Sequence, residues 1–288
     1  MKIRRIPAPE VAIRSEALVG EGPVWDHRSG RLAWVDLDPG ILHISDPSTG
    51  ADTEIPTGRP LGAVAPRRRE GWAAATEDGF GHIEGTCLVL DDLALPGRRR
   101  RMNDAKCDPA GRLWAGSTAH SHTAGGGALH VWDGESPSRV TRRGLTLPNG
   151  LGWSPDGRTM YLAESAHRTL YSAPFDPPEG HLGALEPLAM FDHGLPDGLC
   201  IDAEGCIWLA LWGAGEVWRL APDGTHLATV TVPAPKPSSC AIGPDGTLYI
   251  TSARRGLEEA QLRSAPLSGS VFALDSGTRP VPIPPFRA

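Results

Sequence analysis

Apolar residues in this chain occur in short runs broken by turn residues, and no apolar pattern of 3.6-residue period extends beyond two helical turns. The runs meet in pairs around six similar turns: DHRSGRLAWVD, PRRREGWAAAT, DPAGRLWAGST, SPDGRTMYLAE, DAEGCIWLALW and GPDGTLYITSA. Their closing glycines, Gly30, Gly71, Gly111, Gly157, Gly205 and Gly246, are spaced by 41, 40, 46, 48 and 41 residues. An aromatic follows each glycine (Trp34, Trp72, Trp114, Tyr161, Trp208, Tyr249). This is a β-hairpin repeated six times. A period of that length, with about four strands per unit, predicts an all-β fold, a six-bladed β-propeller, as a single domain spanning 1–288. Helical repeats would need amphipathic helices that are missing here, and a β-helix would need a much shorter period. The wider 46 and 48 spacings place extra loop residues in blades three and four. The tail segment SGSVFALDSG is expected to pair with the opening EVAIRSEALVG, which closes the ring and hides its sheet edges.

The register of the repeats points to a site. The first strand of each blade lines the central channel, and alternate side chains share a direction. Five residues before each blade turn stand Glu21, Leu61, Asn103, Asn149, Asp197 and Ser238. Five of the six carry oxygen. Alternation predicts that they gather at one end of the channel, with apolar residues such as Leu151 and Trp153 packing deeper. A buried ring of this kind is costly without a partner. Two carboxylates meeting amide carbonyls suit a hard divalent cation. Taken singly, the Asn149-Gly150 and Asp197-Gly198 pairs read as hairpin turns; their shared phase favours the ligand reading. Arg101 lies two residues before Asn103, on the same strand face, where it is placed either to bind a polar or anionic substrate oxygen or to end a solvated arginine run. His120-Ser121-His122 followed by three glycines reads as a flexible loop rather than a metal motif.

Composition narrows the class. The chain has 288 residues, 40% apolar and 22% charged, with 35 Gly and 28 Pro, as expected of a globular protein without long helices. A net charge of −6 argues against a nucleic-acid partner. The runs Arg67 to Arg69 and Arg98 to Arg101 sit beside turns, where solvated charge clusters are ordinary. No run approaches membrane-spanning length, and the first residues lack a signal-peptide core. The five cysteines form no C-x-x-C pair; Cys200, Cys206 and Cys240 lie in apolar runs and read as buried free thiols. A cytoplasmic location is the expectation.

The segments GEGPVW, RMNDAKCDPAGRLWAG, LPNGLGWSPDG, LPDGLCIDAEGCIWLALWG and SARRGL together resemble the regucalcin, or sugar-lactonase (gluconolactonase), family over nearly the whole chain. Bacterial aldonolactonases are nearest in look. The resemblance implies a six-bladed propeller with one divalent metal ion, held by Glu21, Asn149 and Asp197. It implies substrate contacts from Arg101 and Asn103. Where some relatives carry acidic residues that touch the sugar, this chain reads AGSTAHSH; that change places Ser121 among the expected substrate contacts and leaves the preferred sugar open. The implied activity is hydrolysis of a small-molecule sugar lactone, such as glucono-, xylono- or arabinonolactone.

In that mechanism the cation acts as a Lewis acid on the lactone carbonyl. Asp197 takes the proton of the attacking water. No G-x-S-x-G elbow supports a serine nucleophile. An all-oxygen set suits calcium, magnesium or manganese, and zinc or iron(II) remain open. Two other classes stand beside the enzyme: a calcium-binding regulatory propeller without turnover, and an interaction scaffold whose polar ring holds only water. Neither the native metal nor the oligomeric state is written in the residues.

Overall fold

Six small antiparallel sheets form the molecule. A computed structural model describes residues 3–95 and 99–288, so Arg98, the first of the four-arginine run, lies outside the described residues. The sheets are the blades of a six-bladed β-propeller. Their inner strands are Gly20–Asp26, Leu61–Pro66, Arg100–Cys107, Pro148–Trp153, Leu195–Ile201 and Pro237–Ile242. Each continues outward through the hairpin seen in the sequence. The last blade takes its outermost strand, Glu10–Ile13, from the start of the chain, antiparallel to Val271–Asp275. That is the expected closure. One element was not foreseen: Arg4–Ile6 adds a parallel fifth strand to blade five. The extra residues of blades three and four form the loop between Ala119 and Gly127, a 3-10 turn over Ser165–His167, and the short strand His181–Leu182.

The repeated aromatics hold the blades together. Six buried clusters fill the six wedges between neighbouring blades. Trp114 packs with Leu151 and Trp153 between blades three and four, and Trp208 with Ile250 and Phe272 between five and six. Burying each such side chain contributes about 2 kcal/mol.

The C-terminal residues form a strap across one mouth of the channel. It starts at blade five, where Ala203 N–H donates to Arg279 O (2.8 Å), and ends at blades two and three. There Phe286 N–H donates to Pro66 O (2.7 Å) and Arg287 N–H to Gly111 O (2.9 Å). Phe286 is buried against Trp132, with ring centroids 4.8 Å apart. Beneath the strap lies a cavity of about 130 Å³, bordered by Trp25, Lys106, Cys200, Ile201 and Val281. The opposite mouth carries the starts of the inner strands and the Ala119–Gly127 loop.

Candidate functional site

Every inner strand carries one extra residue relative to its partner, and in every blade the irregularity falls at the phase singled out from the sequence. A β-bulge breaks the alternation and re-aims the side chain at the break. Strict alternation is therefore not what turns Glu21, Asn103, Asn149 and Asp197 toward the axis; a shared bulge is. The same fact corrects the expected apolar plug. Leu151 and Trp153 pack sideways between blades, and the space deeper in the channel is bordered by Asp104 and Lys106. Nor is Asn149-Gly150 a hairpin turn, because both residues lie within the strand Pro148–Trp153. Its glycine permits close approach of the next blade: a Cβ on Gly150 would meet the Asp197 carbonyl oxygen at 2.4 Å.

Carboxylates on the second strands fix the chain just ahead of two of these residues. Asp36 accepts the N–H groups of Leu18 and Val19 (2.9 and 2.8 Å), which sets the entry to Glu21. Glu164 accepts those of Thr146 and Leu147 (2.8 and 2.7 Å), which sets the entry to Asn149.

Glu21, Asn149 and Asp197 are all at least nine-tenths buried. The Asn149 amide donates to Ser165 Oγ (3.2 Å) and to Asp197 Oδ1. Glu21 Oε2 accepts the Gly22 N–H (3.1 Å). Glu21 Oε1, Asn149 Oδ1 and Asp197 Oδ2 accept no hydrogen bond among the described residues. Burial, and then the charge of Asp104, lift the Glu21 carboxyl from 4.5 to about 8. Asp197 is raised well above the usual range by burial, then by Glu21 and Asp104. Only Arg101 opposes these shifts at both groups. The cluster thus holds more negative charge than the fold compensates, and it has open oxygens. A divalent cation fits that donor set on both counts.

Arg101 Nη1 donates to Asn103 Oδ1 (2.5 Å), and Asn103 Nδ2 donates to Pro148 O (3.1 Å). The guanidinium feels the opposite charges of Asp38, Glu21 and Asp197. The structure therefore brings five of the expected residues, Glu21, Arg101, Asn103, Asn149 and Asp197, to one end of the channel. Two depart from the set. Ser238 Oγ donates to Gly20 O and is hydrogen-bonded to Thr251 Oγ1 (2.9 Å), pinning blade six to blade one. Ser121 is not buried with them: it lies on the exposed loop and pairs with Thr123 Oγ1 at 2.7 Å.

Asp104 is the residue that sequence reasoning missed. It is 4% exposed, its Oδ2 has no partner among the described residues, and burial raises its pKa while Lys106 lowers it. A signal existed. Where blades one, two, four and five carry Gly22, Gly62, Gly150 and Gly198 next to the inward residue, blade three carries Asp104.

One His-and-acid trio among the described residues brings its donor atoms within 4.8 Å of one another, namely His43, Asp52 and Glu54 on the outer half of blade one. It reads as a latch. Asp52 is bonded to His43 Nδ1 and Ser45 Oγ (both 2.6 Å), Trp34 Nε1 donates to Ser45 (2.9 Å), and the His43 ring stacks on Trp34.

Comparison with known proteins places this architecture. The signature of the SMP-30/Gluconolactonase/LRE-like region matches residues 19–254. A 6-deoxy-6-sulfogluconolactonase of Pseudomonas putida is 34% identical over 91% of this chain and 92% of its own. A pentonolactonase of Haloferax volcanii is 34% identical over 89% of this chain and 90% of its own. The crystal structure of a calcium-binding protein, regucalcin, from Agrobacterium tumefaciens superposes with a TM-score of 0.92 at 29% identity, covering both chains in full.

Proposed function

The chain belongs to the SMP-30/gluconolactonase/LRE-like family, and from that membership we propose that it is a sugar lactonase working with one divalent cation. The observation that carries this reading is the buried group of Glu21, Asn149 and Asp197, with unfilled oxygens and uncompensated charge, beside Arg101 and Asn103. The names of the relatives, a sulfogluconolactonase and a pentonolactonase among them, support the reaction class.

Glu21, Asn149 and Asp197 hold the cation, which when bound supplies Lewis-acid polarisation of the lactone acyl oxygen. An all-oxygen set favours calcium, magnesium or manganese, with zinc or iron(II) as further candidates. Asp197, whose Oδ2 accepts no hydrogen bond among the described residues, accepts a proton from the attacking water. Water oxygen bonds to the acyl carbon, the bond from that carbon to the ring oxygen breaks, and the ring oxygen is protonated as the new hydroxyl. The product is an aldonic acid, which releases one proton near neutral pH. Arg101 and Asn103 hold the sugar hydroxyls. Their hydrogen bond to each other keeps both heads at the channel end before substrate arrives.

The regucalcin neighbour described as calcium-binding favours a second reading, the same cation site without turnover. One measurement separates the two. Protein stripped of metal and reloaded with single divalent ions is assayed on a panel of aldonolactones by pH-stat. Turnover that needs the metal on at least one lactone is expected. Metal binding without turnover on any would leave the calcium-binding reading in place.

A further inference from the structure

Two charged residues inside the channel have no part in the hydrolysis derived above. Asp104 lies in the bulge that turns Asn103 to the axis, and Lys106 follows two residues later on the same inner strand, Arg100–Cys107. Both border the cavity beneath the strap. So do Gly22, next in chain to Glu21, and Cys200, three residues after Asp197. The cavity therefore reaches the strands that carry the two proposed carboxylate ligands.

Lys106 spans the channel. Its Nζ donates to Leu199 O (2.6 Å), two residues after Asp197 on the inner strand of blade five. The ammonium makes no other hydrogen bond among the described residues and joins no ion pair there. Asp104 Oδ1 accepts the Ala105 N–H (2.8 Å), while Oδ2 has no partner among the described residues. The two charges thus stand beside one site without neutralising each other by contact. The register shows that the ring as a whole does not require them. Glycine stands at the phase of Asp104 in blades one, two, four and five. At the phase of Lys106 the other five blades carry Val24, Val64, Gly152, Cys200 and Ala241, none of them charged.

We propose that Asp104 and Lys106 tune the cation site by charge, Asp104 strengthening its hold on multivalent ions and Lys106 weakening it. The inference rests on the cation-site part of the lactonase reading and not on turnover. Glu21, Asn149 and Asp197 would fix where the ion sits, whereas the pair acts from beside it through its field. Coulomb energy scales with the product of the charges and is larger in a buried channel than in water. One unit of wall charge therefore acts half as strongly again on a trication as on a dication. In oxygen-ligand sites generally, the count of charged groups is one of the terms that set cation affinity.

The test is calorimetric titration of the stripped full-length protein, at one pH, with calcium and with terbium(III), an ion of similar size and one more charge. Asp104→Asn should weaken calcium binding about tenfold and terbium binding about thirtyfold. Lys106→Gln, which keeps a donor for Leu199 O, should strengthen both by about the same factors. The ratio of terbium to calcium affinity then moves about threefold down in the first variant and about threefold up in the second. The double variant should return it to the parent value, and Lys106→Arg, which keeps the charge, should leave it there. A ratio unmoved in both single variants, or equal losses for both ions with a lowered thermal midpoint, overturns the proposal. So does a parent protein that binds neither ion. If the ratio moves as stated while no lactone is turned over, the lactonase reading falls and the charge-tuning pair stands.

Discussion

Asp197 and Asp202 stand five residues apart in one stretch of blade five, both almost fully buried, and their surroundings are opposite. Asp202 Oδ1 accepts the N–H groups of Glu204 and Cys206 (3.0 and 2.9 Å), and Oδ2 accepts Trp208 Nε1 and Arg219 Nε (3.0 and 2.9 Å). Its acceptor capacity is filled by its own blade. Asp197 receives the Asn149 amide on one oxygen and, among the described residues, nothing on the other, beside two further buried acids. Blade three repeats the contrast: Asp108 is saturated by Arg112, Trp114 and two backbone N–H groups, while Asp104 four residues earlier has an orphan oxygen. Residue type and burial do not separate the two aspartates of either pair. Hydrogen-bond satisfaction does.

The sharpest way to break that contrast is to change the two aspartates in turn. Asp197→Asn keeps volume and removes a charge that the fold does not compensate. Lactone turnover should fall by about a thousandfold, and the rise in thermal midpoint on adding metal should vanish. The metal-free variant should melt no lower than the parent, since a like-charge repulsion is gone. A variant that hydrolyses lactones at the parent rate would move the proposed base elsewhere.

Asp202→Ala should do the reverse. It strands the Trp208 indole and the Arg219 guanidinium, and losing one partner of such a buried network costs on the order of 3 kcal/mol. In urea unfolding the midpoint should drop accordingly, while kcat of the folded fraction stays within about twofold of the parent, because Asp202 lies one full strand length from the proposed site. A large loss of kcat at unchanged stability would show that satisfaction is a poor guide to role.

Much of this was legible in the residues, for a reason that differs from the one first apparent. The period of the turns predicts six blades because each hairpin must bury its aromatic against the next, and Trp34, Trp114 and Trp208 do so. The phase of Glu21, Asn103, Asn149 and Asp197 was visible because every blade repeats the same bulge. The bulge itself was not visible: one extra residue leaves no mark on composition, and so Leu151 and Trp153 were expected in the channel rather than between blades. Asp104 was hidden because it replaces a glycine, the residue least noticed in a turn-like motif. Ser238 shares the phase but not the role, since a hydroxyl can meet its needs on the neighbouring blade's backbone, as it does at Gly20. The strap joins residues distant in sequence, and no local pattern announces contacts such as Phe286 with Trp132 or, at the other mouth, the ion pair of Arg255 with Asp38.

The smallest effect tests the charge side of the comparison, through pH. The folded protein without metal holds Glu21 at about 8 against an ordinary 4.5. A carboxyl raised by folding costs nothing below its unfolded pKa and destabilises progressively as pH rises toward the folded one. Metal-free protein should therefore lose stability between about pH 5 and 8, by roughly 1 kcal/mol per pH unit for such a group. Metal-loaded protein should lose less, because the cation compensates the ionised form and its binding releases the proton. His130 supplies the opposite sign. Burial lowers it from 6.5 to about 4, so its contribution is present above pH 6.5 and is lost as pH falls toward 4, with or without metal. The two windows overlap below pH 6.5 and separate above it. Thermal midpoints of stripped and loaded protein should accordingly diverge from pH 6.5 to 8. A gap that stays constant over that range would mean that Glu21 and Asp197 do not meet the metal.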